Sequence, residues 1–83
     1  RMLRVYPNPA TSQLTFETEL LQPEQEYLVE LKNPTGTTVY GARLGLENPT
    51  IALPSTVGSG LYWALLRDAR GAVMATASLI LMD

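Results

Sequence analysis

The stretch that most constrains this chain is residues 61–82, two apolar arms joined at Asp68-Ala69-Arg70-Gly71. Tyr62, Trp63, Leu65 and Leu66 crowd the first arm; Val73, Leu79, Ile80 and Leu81 fill the second. A four-residue connection ending in Gly suits a hairpin in which the backbone passes through a left-handed conformation. The pattern predicts strands over residues 61–67 and 72–82. Both arms carry apolar side chains at odd and even positions, so neither face of this hairpin is expected to be left to water.

The rest of the chain offers shorter strands to pack on it. Leu3-Arg4-Val5-Tyr6 alternates and stops at Pro7-Asn8-Pro9, where two prolines fix φ, remove donors and force a corner. Residues 13–18 follow, with Leu14 and Phe16 expected inward and Thr15 and Glu17 outward. Residues 26–32 alternate again, placing Tyr27, Val29 and Leu31 on one face. Asn33-Pro34-Thr35-Gly36 is a turn signal, with Pro set for its second position and Gly for positive φ. Residues 37–44 return as the hairpin partner, with Val39 expected inward. A short strand at residues 50–53 directs Ile51 and Leu53 inward, and residues 54–60 form a crossing. About seven short strands with regular turn signals predict an all-β fold, an antiparallel two-sheet sandwich. The whole of residues 1–83 reads as one domain.

Composition narrows the function more than it defines it. The chain has 83 residues and contains neither cysteine nor histidine. That excludes disulfides, thiolate sites, the commonest zinc ligand and His-dependent nucleophilic catalysis. Lys and Arg are scattered at positions 1, 4, 32, 43, 67 and 70 and the net charge is −2, so no basic surface for nucleic acid is expected. No apolar run is long enough for a membrane helix. The chain opens at Arg1 rather than at Met, and is expected to be a piece of a longer protein.

Three groups of residues invite chemistry. Glu17, Glu19, Glu24, Glu26 and Glu30 could gather a hard cation, but their spacing matches no ligand loop, and a solvated face is the simpler reading. Trp63 with Tyr62, Tyr40 and Tyr27 could form a stacking platform for sugar rings. The plainer expectation is that Trp63 and Leu65 lie under a loop or cover one end of the sandwich, whereas an exposed Trp63 beside Leu61 and Leu65 would be a docking patch. Ser12, Ser55, Ser59 and Ser78 have no candidate base. No catalytic residue, metal site or cofactor is expected, and the chain does not read as an enzyme.

Val5-Tyr6-Pro7-Asn8-Pro9-Ala10, then the turn Asn33-Pro34-Thr35-Gly36, then Leu53-Pro54 with Gly60-Leu61-Tyr62, and finally the hairpin at residues 68–71 follow one another in a familiar order. Together they resemble the C-terminal sorting domain, type A, of proteins exported by the type IX secretion system of Bacteroidetes. Two departures stand out. Thr76-Ala77-Ser78 and Asp83 occupy the last strand, where the family usually carries Lys, and the spacing between Leu53-Pro54 and Gly60 is longer than usual.

The resemblance implies an immunoglobulin-like sandwich that serves as an address. Such a domain directs an N-terminal cargo domain through the outer-membrane translocon and is recognised by shuttle and sortase proteins. The cargo's expected destination is the cell surface or the extracellular space. The recognition residues it implies are Tyr6, Pro7, Asn8, Pro9, Gly60 and Tyr62, and the strand Ser78, Leu79, Ile80, Leu81 and Met82. A physical route to recognition is strand addition at the edge of a sheet, or contact through exposed apolar side chains. The alternative reading is an immunoglobulin-like structural or carbohydrate-binding accessory domain of a secreted enzyme or adhesin, in which Trp63 and the tyrosines face outward in a row.

Overall fold

The computed structural model describes residues 3–6, 12–19, 21–22, 25–45 and 49–82. Seven strands follow in order: β1 (Arg4–Tyr6), β2 (Gln13–Glu17), β3 (Tyr27–Lys32), β4 (Thr38–Leu44), β5 (Thr50–Ala52), β6 (Gly60–Arg67) and β7 (Val73–Leu81). They form two antiparallel sheets, one in the order β1-β2-β5 and one in the order β4-β3-β6-β7. The packed pair is the expected all-β sandwich. The corner expected at Pro7, Asn8 and Pro9 lies outside the described residues.

Alternation in the strands decides the core. From the small sheet come Val5, Leu14, Phe16 and Ile51; from the large sheet come Val29, Leu31, Leu44, Ala64, Leu66, Leu79 and Leu81. Leu14, Leu31, Ala64 and Leu66 are fully enclosed. Phe16 is the largest of the deeply buried side chains, and burying a residue of this kind contributes about 1.5–3 kcal/mol. Among the described residues no polar or charged residue is buried, so the sandwich is held by apolar packing and by its ladders.

Hydroxyls finish the edges. Thr15 and Thr50 share a hydrogen bond of 2.8 Å across β2 and β5. The Tyr40 hydroxyl donates to the Ala52 carbonyl at 3.2 Å, tying the β4 edge of one sheet to the β5 edge of the other.

The large sheet is two hairpins side by side, and both turn in the same way. In β3–β4, Asn33 Oδ1 accepts from the N–H groups of Thr35 and Thr37, at 3.2 and 3.0 Å. In β6–β7, Asp68 Oδ1 accepts from Arg70 and Ala72, at 2.9 and 3.0 Å. Gly36 and Gly71 carry φ of 87° and 88°, in the left-handed region where a Cβ is disfavoured. Each hairpin then slips by one residue, between Leu31 and Lys32 and between Leu66 and Arg67.

That slip overturns one expectation. With Lys32 opposite Thr38 but Leu31 opposite Tyr40, Val39 is the extra residue of a bulge and is 38% exposed. Tyr40, Ala42 and Leu44 take the inward positions instead. Strict alternation counted from the turn misses a bulge, because one added residue exchanges the two faces.

Candidate functional site

The expected burial of both faces of the β6–β7 hairpin is also corrected. Its inner face, with Tyr62, Ala64, Leu66, Leu79 and Leu81, is core. Among the described residues its outer face has no second layer against it, because the small sheet packs on the other side. Leu61 is 44%, Trp63 38% and Ile80 48% exposed. Trp63 is therefore neither under a loop nor an end cover; it stands on the open face. Leu61 lies directly opposite Ile80, and Trp63 lies opposite Ser78. Outward residues two apart on a strand adjoin one another, so Leu61, Trp63 and Ile80 form one strip, with half-buried Leu65 following Trp63 and exposed Met82 following Ile80.

The terminal strand β7 is an edge, hydrogen-bonded within its sheet to β6. It is nine residues long and carries no charged side chain, which is unusual for an edge that must resist stray pairing. Its candidate residues divide by parity. Leu79 and Leu81 are core, at 1% and 3% exposure, while Ser78, Ile80 and Met82 face water. Any partner that reads residues 78–82 on the folded domain meets the second set.

The other candidates have different surroundings. The buried Tyr62 donates its hydroxyl to the Gly58 carbonyl at 2.7 Å, holding the crossing before β6 against the strand. Gly60 has φ of 142°, so its backbone conformation favours glycine. Both have structural work to do where the chain enters β6. Tyr6 is exposed on the small sheet, with the Arg4 guanidinium 5.4 Å from its ring centre. Tyr6 and Ile80 thus stand on opposite outer faces of the sandwich, and the fold does not bring them together.

A sugar platform does not form as a row. Tyr27 and Tyr62 are buried, and Tyr40 is engaged with Ala52, which leaves Trp63 without an aromatic neighbour on its face. Of the acidic residues, Glu17 meets Arg4 at 3.5 Å and Glu30 meets Arg67 at 2.7 Å. Among the described residues no three carboxylates gather as metal ligands do. A hollow of about 270 Å³ lies beside the end of β7, lined by Ser12, Leu53, Pro54, Val57, Leu81 and Met82 among others. Among the described residues none of its lining side chains is charged, and its polar side chains are the hydroxyls of Ser12, Ser55 and Ser59.

What sequence reading missed is the charged border of the open face, where Glu26 and Asp68 line one hollow with Leu28 and Arg43. Lys32, Glu30 and Leu28 alternate with the buried Leu31, Val29 and Tyr27 and so point outward. Arg67 shares that face through its bond to Glu30, and Arg43 lies opposite Leu28. The alternation of β3 already carried this signal; the pairing of strands with β3 did not follow from it.

No helix among the described residues is long and apolar enough to cross a membrane. No curated protein matches the chain. A family model described as the secretion system C-terminal sorting domain matches residues 4–80, from the start of the first strand into the last. That family consists of secretion signals, is not known as catalytic, and implies export across the outer membrane. By this match the chain belongs to the family of type IX secretion C-terminal sorting domains.

Proposed function

We propose that this domain is a folded, non-catalytic address that shuttle and sortase proteins of the type IX system recognise, delivering an N-terminal cargo to the cell surface or the medium. The observation that carries the reading is the family match over residues 4–80. The end of β7 supports it as the part that is read. Ser78, Ile80 and Met82 are accessible on an uncharged strand beside Leu61 and Trp63, an arrangement suited to side-chain docking. The residues Tyr6, Pro7, Asn8 and Pro9 belong to the recognition set by family resemblance, and Gly60 and Tyr62 act through the shape they give to the start of β6.

The test is export of an inert periplasmic reporter fused ahead of residues 1–83, in a host that has this secretion system. The reporter is expected at the surface or in the medium, and retention in the periplasm counts against the reading. Deleting residues 79–83 would also remove the core residues Leu79 and Leu81. The informative variant is therefore Ile80→Thr with Met82→Thr, which leaves the core in place. Its export is expected to fall at least tenfold. Glycan binding by the isolated domain would favour the accessory-domain alternative instead.

A further inference from the structure

The two hairpins of the large sheet correspond residue by residue. Tyr27 answers to Tyr62, Leu31 to Leu66, Asn33 to Asp68, Gly36 to Gly71 and Leu44 to Leu79, at a constant spacing in sequence. Under that spacing every pair of the β3–β4 ladder falls on a pair of the β6–β7 ladder. Tyr27–Leu44 falls on Tyr62–Leu79, Val29–Ala42 on Ala64–Ala77 and, past the bulge, Lys32–Thr38 on Arg67–Val73. The ladder that joins the hairpins falls on itself: Leu28–Arg67 becomes Trp63–Lys32, Val29–Leu66 becomes Ala64–Leu31, and Glu30–Leu65 stays in place. This is the pairing of a two-fold axis normal to the sheet, between Glu30 and Leu65. Burial follows it, with Tyr27 and Tyr62, Leu31 and Leu66, and Leu44 and Leu79 in the core, and Leu28 and Trp63 exposed.

The correspondence extends ahead of the strands. Gln25 N–H donates to the Gln22 carbonyl at 3.4 Å and Val57 N–H to the Pro54 carbonyl at 3.1 Å, so a turn bond precedes each hairpin. Each lead-in is then tied to the buried tyrosine that follows it. The Tyr27 hydroxyl accepts from Gln22 N–H at 2.8 Å, and the Tyr62 hydroxyl donates to the Gly58 carbonyl at 2.7 Å. The lead-ins differ in length and the tethers in which group donates. A buried phenol needs a partner for its hydroxyl, and both of these take one from the backbone just upstream. A phenol satisfied by chance has no reason to repeat that choice at the equivalent place.

We propose that β3–β4 and β6–β7 are two copies of one unit, made of a turn, an anchoring tyrosine and a bulged hairpin, and that Tyr27 anchors the first copy as Tyr62 anchors the second. The inference does not depend on the reading of the domain as a sorting signal. It gives Tyr27 a positioning role, in which its hydroxyl fixes where the chain enters β3. Tyr62 does the same for β6. Because β3 and β6 run antiparallel, the two anchors hold the sheet from opposite ends.

Amide hydrogen exchange on the purified chain tests the anchors. Tyr27→Phe and Tyr62→Phe keep the ring and remove only the hydroxyl. The amides of Gln25 and Val57 bond to neither tyrosine, so they report the lead-in turns and not the lost bond itself. Relative to the slowest core amides, Tyr27→Phe is expected to speed exchange at Gln25 about fivefold and leave Val57 unchanged, and Tyr62→Phe to do the reverse. Tyr40→Phe, which loses a bond to Ala52, is the control and should move neither. Unchanged exchange at Gln25 in Tyr27→Phe, or an equal gain in Tyr40→Phe, overturns the anchoring role. A second variant exchanges residues 32–38 with residues 67–73, carrying each turn and its closing pair into the other hairpin. One cooperative urea transition is expected, with its midpoint lowered by less than about a fifth. A larger fall, or loss of cooperative unfolding, overturns the duplication. Export of the reporter fusion bears on the sorting reading alone.

Discussion

The two hairpins of the large sheet share a turn and differ in what they show to water. Asn33 and Asp68 close their turns with the same pair of side-chain bonds, Gly36 and Gly71 have the same φ within a degree, and both hairpins slip by one residue at the same place. Even the residue before the turn acts alike: Lys32 bonds Thr38, and Arg67 bonds the Gly71 carbonyl at 2.7 Å. Yet outward positions of β3 and β4 hold Glu30, Lys32 and Arg43 with one large apolar residue, Leu28, on β3, whereas those of β6 and β7 hold Leu61, Trp63 and Ile80 with one charge, Arg67. The turn and bulge set the register, and the register alone requires an apolar inner face. The outer face is left open to selection for contact, and in the second hairpin it has been filled with groups that a free monomer gains nothing by exposing.

Four experiments probe how far the likeness extends. The largest effect is expected in the core. Leu31 and Leu66 occupy equivalent places just before the bulge and are both fully enclosed. Leu→Ala at either should cost about 2–5 kcal/mol, measured by urea unfolding, and similar losses at the two sites would show that the hairpins are equally coupled to the sandwich. Ile80→Thr on the open face should change stability by only about 0.5 kcal/mol, which would separate contact from folding at that strand.

A smaller effect is expected at the turns. Neither Gly36 nor Gly71 has an atom within 4 Å of where a Cβ would sit, so Ala there meets no clash and pays only for its backbone. Each substitution should destabilise by about 1–2 kcal/mol. Unequal losses would break the equivalence of the turns. The remaining effect at the turns should be a gain. Pro34 shows that the second position of this turn accepts proline, and Ala69 holds the same place in the second hairpin. Ala69→Pro should therefore raise stability by about 0.4–1 kcal/mol by restricting the unfolded chain, read as a higher urea midpoint. A loss of stability instead would mean that the two turns differ in backbone.

Much of this was legible in the residues. The inward set of Leu14, Phe16, Tyr27, Val29 and Leu31 followed from alternation, and both turns from their Pro and Gly. The order of motifs from Tyr6 to the last hairpin carried the family. Val39 was misplaced because a one-residue bulge leaves no mark on composition. The open face was misjudged for a different reason. An apolar residue at an outward position says that something covers it or that something is meant to, and a single sequence does not distinguish the two.

The closing hairpin states the division. Residue identity by itself determined that β6 and β7 would be strands, that Asp68 to Gly71 would turn, and that Leu66, Leu79 and Leu81 would seek a core, since backbone preference and side-chain polarity act locally. Only the tertiary structure decided that β7 lies at an edge, that the small sheet covers one face of the pair and not the other, and that Lys32 and Arg43 come to border Trp63 and Leu28. Those outcomes depend on which strands pair and in what register, and that choice is made by the packing of the whole sandwich.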